Sequence, residues 1–297
     1  MILVAGSANL DFVVRAPRIP APGETVLGYG FETFPGGKGA NQAIACARGG
    51  GAATAMLLAL GNDAFAVPLE DSLVSAGVKI HVVRIADAST GTAFICVSDQ
   101  GENSITVAPG ANGGLSPSHL PSLDNVTHLL MQLEIPLETV IAYAHAARKR
   151  GVEVVLNAAP ARALPPELLA AIDVLIVNEG ELATIVGPAD DLLESLARLE
   201  VRNVVVTLGP RGSRARIAGA SLIQQAFGID VVDTTAAGDT FCGVLVAALG
   251  RGLDWESALR QASAAGALAC TRLGAQTSIP TQIEVLEFLH RHARIAH

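Results

Sequence analysis

Residues 152–207 read VEVVLNAAPARALPPELLAAIDVLIVNEGELATIVGPADDLLESLARLEVRNVVVT. Three short apolar runs, 152–156, 174–177 and 204–207, are rich in Val, Ile and Leu. Between them lie amphipathic stretches, 165–171 and then Glu179–Val186 with 192–199, whose apolar positions recur at helical spacing. Continuous apolar runs of this length, unlike alternating ones, belong to strands buried on both faces. Working outward, 53–60 is another such run, closed by Gly61-Asn62-Asp63, and Ile2–Ala5 is another, ending at Gly6. Residues 136–150 supply a further amphipathic helix. Strand and helix in alternation predict an α/β fold with a mostly parallel sheet covered on both faces. Right-handed crossovers then bring the C-terminal ends of the strands to one edge, where such folds bind ligands.

Two stretches break this rhythm. Residues 25–34 alternate, and 92–98 with 104–107 read as a hairpin across Asp99-Gln100-Gly101-Glu102. We expect these to be antiparallel strands outside the main sheet, forming a small flap. The C-terminal third is helical over 238–249, 255–273 and 282–293. No repeat, low-complexity tract or linker interrupts the 297 residues, so residues 1–297 read as one domain with an appended flap.

Composition narrows the function. Half the residues are hydrophobic and 16% are charged, which excludes a disordered chain. Net charge is −8 with no Lys/Arg-rich run, so nucleic acid is not an expected partner. Met1–Gly6 lacks a basic flank and Asp11 follows early, unlike a signal peptide. The uncharged tract 103–123, counted from Asn103, is rich in Pro, Gly, Ser and Asn and is no membrane span. Cys46, Cys96, Cys242 and Cys270 are scattered. They read as free thiols, with Cys46, Cys242 and Cys270 buried. His290, His292 and His297 read as a solvated tail. A reduced, cytoplasmic, soluble protein is expected.

Chemistry concentrates in two motifs. In Asp233-Thr234-Thr235-Ala236-Ala237-Gly238-Asp239-Thr240-Phe241, small residues lead into an apolar helix. The first N–H groups of such a helix have no internal partner and carry the positive end of its dipole, so they suit a phosphate. Asp239, in that first turn, is placed to accept a proton from an attacking hydroxyl. In Pro35-Gly36-Gly37-Lys38-Gly39-Ala40-Asn41-Gln42-Ala43 the lysine is followed by Gly39, not Ser or Thr, so the Walker A pattern fails. This glycine-rich turn suits a small polar ligand. Asn9 and Asp11 share one face of an extended segment and suit vicinal hydroxyls. Glu134 follows the run from Leu129 and falls near a strand end. Asn178 and Glu181 begin the helix after 174–177, and the turn 207–212 ends a strand. No G-x-G-x-x-G or G-x-S-x-G is present. The combination favours phosphoryl transfer to a hydroxyl over hydride or acyl transfer.

Gly36–Ala43 near the start and Asp233–Phe241 near the end resemble the two signatures of the ribokinase-like carbohydrate kinases, in the same order and wide separation. Pro22–Val26, Gly110–Asn112, Leu130–Glu134, Asn157–Arg162 and Gly274–Gln276 extend the resemblance along the chain. It implies a ribokinase-like three-layer sandwich with a central mostly parallel sheet and a β lid from about 11–34 and 90–108, two lids clasping into a homodimer. The implied reaction is ATP-dependent phosphorylation of the 5-hydroxyl of D-ribose. Asp239 matches the family base, and the N–H groups of Ala236, Ala237 and Gly238 its anion hole. Asn9, Asp11, Gly37, Lys38, Asn41 and Glu134 would hold the sugar. Asn178, Thr207, Gly209 and Gly212 would hold ATP, with Ser263 near the adenine where relatives often carry His or Asn. Glu181 completes an Asn-x-x-Glu motif linked to Mg²⁺. Asp233, Thr235, Ala269, Arg272, Gly274 and Ser278 fall where the family binds an activating monovalent cation, K⁺. The alternatives are a family kinase for another sugar or a nucleoside, and a sugar-binding regulator without catalysis.

Overall fold

The computed structural model describes residues 1–189 and 191–294; Asp190 and residues 295–297, His297 among them, lie outside the described residues. The strands are β1 (Ile2–Ala5), β2 (Asn9–Ala16), β3 (Gly30–Gly36), β4 (Thr54–Leu60), β5 (Lys79–Arg84), β6 (Gly91–Ser98) and β7 (Asn103–Ala108). They continue with β8 (His128–Met131), β9 (Glu153–Asn157), β10 (Val174–Asn178), β11 (Asn203–Thr207), β12 (Ser213–Ile217) and β13 (Ala220–Gln224). The helices are α1 (Lys38–Ile44), α2 (Ala66–Ser75), α3 (Leu137–Lys149), α4 (Pro166–Leu169), α5 (Glu179–Val186), α6 (Leu192–Ala197), α7 (Ala237–Gly250), α8 (Trp255–Ala269) and α9 (Gln282–Arg294).

Among the described residues, nine strands form one sheet in the order β13-β12-β11-β10-β9-β8-β1-β4-β5. From β11 to β5 every pairing is parallel; β12 and β13 add an antiparallel edge. Alternate residues of the same strands enter opposite apolar layers. Leu3, Leu57, Leu129 and Val206 pack with Val140, Tyr143 and Leu182 on one side. Ile2, Val4, Met56 and Ile176 pack with Ile44, Leu69, Phe241 and Leu245 on the other. The result is the expected three-layer α/β sandwich, because a strand buried on both faces needs a helical layer on each. The scarcity of aromatics has a packing consequence. A Cβ on Gly243 of α7 would lie 2.5 Å from the Cβ of Ala45, so helices of small residues lie backbone to backbone.

The remaining strands form a separate sheet in the order β3-β2-β6-β7. The hairpin β6–β7 is as expected. Two expectations need correction. β2 pairs with β6 in parallel, so the small sheet is not all antiparallel. Residues 25–29 are not strand, and the alternation read there belongs to β3 from Gly30 onward. Hydrophobic alternation does not flag β2, because it follows β1 after only Gly6-Ser7-Ala8 and looks like its continuation; the extended segment at Asn9 and Asp11 and the lid from about residue 11 fall on it. That short hinge carries the chain from one sheet to the other, and the sugar-reading residues proposed from sequence cluster around it. Cys46 and Cys242 are buried as expected, but Cys270 is only half-buried. His292 is only partly exposed: its ring packs on Phe288 at 4.1 Å and on Phe227 at 5.2 Å.

Candidate active site

The glycines of the first motif serve packing before they serve a ligand. Gly37 caps α1 with φ 90°. A Cβ there would fall 2.7 Å from the backbone N of Asn9 and 2.8 Å from the Cα of Ala8. A Cβ on Gly39 would fall 2.6 Å from the backbone N of Ser7. The start of α1 is thus pressed onto the hinge between the two sheets, which only glycine allows. The turn is half-buried at Gly37 and Lys38, and Gly39, Asn41 and Gln42 beyond it are buried.

The second motif begins α7. Ala236 caps it in the left-handed region at φ 57°, a strained conformation for a residue with a Cβ and one that recurs at functional sites. Asp239, 9% exposed, sits in the first turn. Its Oδ2 accepts from Asn41 Nδ2 at 2.9 Å and its Oδ1 from Gln42 Nε2 at 2.8 Å. Of the N–H groups of Ala236, Ala237 and Gly238, expected to form an anion hole, that of Ala237 donates to Thr234 O at 3.2 Å.

Asp239, Gly238, Ala236, Lys38, Asn178, Glu181 and Thr207 line one cavity of about 170 Å³. Asn157, Ala159 and Cys242 also line it and were not among the site residues expected from sequence. Asn178 and Glu181 form a reciprocal cap: Glu181 N–H donates to Asn178 Oδ1 and Asn178 N–H to Glu181 Oε2, each at 2.8 Å. Glu134 accepts from Ser7 Oγ and from the backbone N–H of Lys38 at 3.2 Å. Asn9 Oδ1 accepts from Asn112 Nδ2 at 2.8 Å, which makes Asn112 a buried support absent from the expected set. Gly209 and Gly212 do not line the cavity. They shape the turn beside it, at φ 56° and 88°, and Arg211 within that turn pairs with Glu179 at 2.5 Å. Ser263 lies outside the cavity too, on α8 one turn before Gly266, which packs against Ala237 O.

Electrostatics follow from this crowding. The negative charge of Asp239 holds the Lys38 ammonium above its ordinary range against the opposing effect of burial, with help from Glu134 and Glu181. Burial raises Glu181. Burial, then Glu134 and Asp239, push Asp11 up to about 7. A carboxyl raised from 3.8 makes its favourable contribution to folding below about pH 4 and loses it as pH rises through about 7. Asp11→Asn is therefore expected to stabilise the ligand-free protein progressively from about pH 4 to about pH 8. Thermal melts across that range check it; an offset independent of pH would refute it.

A third cluster lies beyond the N-terminus of α7. Asp233 Oδ1 accepts from the N–H of Thr235 at 2.9 Å and its Oγ1 at 2.6 Å, and Oδ2 accepts from Gly274 N–H at 2.9 Å. Despite burial, these bonds hold the carboxyl below its usual range. The Ala269 carbonyl accepts from Arg272 N–H at 3.3 Å at the end of α8. The Arg272 side chain turns away to Glu284, and Ser278 Oγ donates to Ala275 O at 2.8 Å.

A three-layer α/β sheet with a small second sheet over its edge, and a poised carboxylate at a helix N-terminus, defines a phosphotransferase that acts on a hydroxyl. Residues 1–282 match the pfkB family carbohydrate kinases, and the chain belongs to that family. It is 40% identical to the ribokinase of Haemophilus influenzae over 97% of this chain and 98% of that one. It is 38% identical to the ribokinase of Bacillus subtilis over 97% and 99%. The structure of Arabidopsis thaliana ribokinase complexed with ribose and ATP superposes with a TM-score of 0.89 at 35% identity, covering 97% and 98% of the two chains. The ribokinase-like fold expected from the two signatures is therefore the fold of this protein.

Proposed function

We propose that this kinase transfers the γ-phosphoryl group of ATP to the 5-hydroxyl of D-ribose. The observation that carries the reading is Asp239: a buried carboxylate with both oxygens oriented, sharing one cavity with Lys38, Asn178, Glu181 and the start of α7. The hydroxyl attacks in line while Asp239 takes its proton. The N–H groups of Ala236 and Gly238, together with the α7 dipole, face the charge on the moving phosphoryl, and that of Ala237 joins them on leaving Thr234 O. Asn9, Asp11, Gly37, Lys38, Asn41 and Glu134 hold the sugar. Asn41 is well suited, since its buried Oδ1 has no partner in the protein and is ready to accept from a sugar hydroxyl. Asn178, Thr207, Gly209, Gly212 and Ser263 hold the nucleotide.

Glu181 suits Mg²⁺, because it is a hard carboxylate oxygen donor whose charge burial and Asp239 disfavour and Lys38 only partly offsets. The ion, bound through the phosphates, would neutralise charge there. The Asp233 carboxylate with Thr235 and the carbonyls of Ala269, Arg272 and Gly274, near Ser278, is a set of hard oxygens that suits K⁺. The large and small sheets act as one catalytic unit in which the small sheet is the lid. An ATP-consuming enzyme with free thiols fits the cytoplasm.

The lid carries Phe31 at 65% and Phe94 at 54% exposure, with Leu27 and Tyr29 also exposed. A second lid would cover this apolar face and give a homodimer. Phe94→Glu is expected to yield monomers by light scattering at concentrations where the parent is dimeric; an unchanged mass rejects the lid as the interface.

The test of function is ADP release from Mg-ATP with pentoses, hexoses and nucleosides, in K⁺ and again in Na⁺. The highest kcat/KM for D-ribose, higher in K⁺, is the expected result. Preference for another acceptor overturns the substrate. Sugar binding without turnover identifies a regulator.

A further inference from the structure

Beneath Asp239 runs a chain of buried carboxamides. Gln42 and Gln132 are fully buried, and Asn41, Asn157 and Asp239 are all under 10% exposed. Gln42 Nε2 donates to Asp239 Oδ1 at 2.8 Å and to Asn157 Oδ1 at 2.9 Å. Gln42 Oε1 accepts from Gln132 Nε2 at 2.5 Å. Asn157 Nδ2 donates to Ile176 O at 3.1 Å. A Cβ on Gly6 would lie 2.0 Å from Gln132 Oε1, so the Gln132 amide is seated against bare backbone.

The direction of every amide in this chain is determined. A carboxylate accepts only, so the nitrogen of Gln42 must face Asp239. The Ile176 carbonyl also accepts only, so Asn157 must turn its oxygen toward Gln42. Both anchors demand the same orientation of Gln42, and Gln132 satisfies the oxygen left on the far side. If the Gln42 amide reversed, its oxygen would meet both the carboxylate and Asn157 Oδ1 in a dry interior. Burying such unmatched acceptors is strongly unfavourable.

We propose that Gln42 is a positioning residue for the Asp239 carboxylate, held in its one productive direction by Gln132 and Asn157. This rests on the reading of Asp239 as the base. The carboxylate feels repulsion from Asp11 and Glu181 and attraction from the Lys38 ammonium, unequal pulls that favour rotating it. Asn41 alone bonds one oxygen and leaves the group free to swing about that bond. Gln42 supplies the second point, and two points define the plane in which the lone pair meets the hydroxyl.

The experiment compares Gln42→Met, Gln132→Met and the double variant. Gln42→Met is expected to lower kcat about tenfold or more with KM for sugar and ATP within about twofold, as geometric misplacement does. Gln132→Met is expected to lower kcat several-fold, and to add nothing in the Gln42→Met background, because it acts through Gln42. The infrared carboxylate stretch of Asp239, isolated by subtraction of Asp239→Asn, is expected to shift in both single variants. An unmoved band, additive effects, or a rise in KM at constant kcat overturns the proposal. If Gln42→Met does not fold, Gln132→Met decides by the band and the kcat-against-KM split. If Asp239→Asn keeps near-parent turnover, the base reading fails, while the band still reports whether the amide chain orients the carboxylate.

Discussion

Asp239→Asn is expected to keep the folded structure and to lower turnover at least about a hundredfold, equivalent to about 2.7 kcal/mol of barrier. Asparagine has the same shape but cannot take the hydroxyl proton. The site tolerates the swap for a specific reason. An Asn at 239 turns one N–H₂ group toward a former donor. Asn41 can answer by rotating its amide, since its Oδ1 has no partner to lose. Gln42 keeps its bond to the remaining oxygen. Melting temperature and far-ultraviolet circular dichroism should therefore match the parent, with the main loss in kcat and a smaller rise in KM for the sugar, because the rotated Asn41 no longer offers it Oδ1. Near-normal turnover in a well-folded variant would remove Asp239 as the base.

Gly37→Ala is expected to damage stability and site together. At φ 90° any side chain is strained, at roughly 1–3 kcal/mol. The new methyl also overlaps Asn9 N and Ala8 Cα, backbone atoms that cannot step aside. Overpacking of this kind typically adds about 1–3 kcal/mol. A fall in melting temperature of at least about 5 °C follows. Because the atoms displaced belong to Asn9, and Gly37 immediately precedes Lys38, KM for the sugar should rise at least about tenfold. Gly151→Ala is the control: φ is 71° there, but nothing lies within 4 Å of the added methyl, so only the conformational cost applies. Equal destabilisation of the two variants would show that contact at the hinge is not decisive.

The two motifs were legible from local sequence because their chemistry is local. A run of small residues before an apolar helix marks a helix start that can suit an anion, and Asp239 in the first turn follows from helical spacing. The place of Asn178 and Glu181 at a helix start was legible for the same reason, since the cap they form needs only residues three apart. The glycines were legible as glycines but not as packing devices. What Gly37 and Gly39 avoid is Ala8, Asn9 and Ser7, about 30 residues earlier in the chain. The amide chain under Asp239 was not legible as a chain: Gln42 is separated from Gln132 by 90 residues, from Asn157 by 115 and from Asp239 by 197.

Periodicity, charge pattern and two short motifs were enough to determine the layered α/β class and to single out the strand-end edge and the carboxylate on which the proposed chemistry rests. These depend on backbone hydrogen bonding, on burial, and on the fields of single helices, all of which act within a few turns. Tertiary structure alone decided that β2 leaves the main sheet to pair in parallel with β6, and that Phe31 and Phe94 of the small sheet remain exposed. It also decided that Asn41 and Gln42 direct their nitrogens to Asp239. Those outcomes depend on which distant backbones come into contact, and hydrogen-bond direction in a dry interior is set by the partner that each amide meets there.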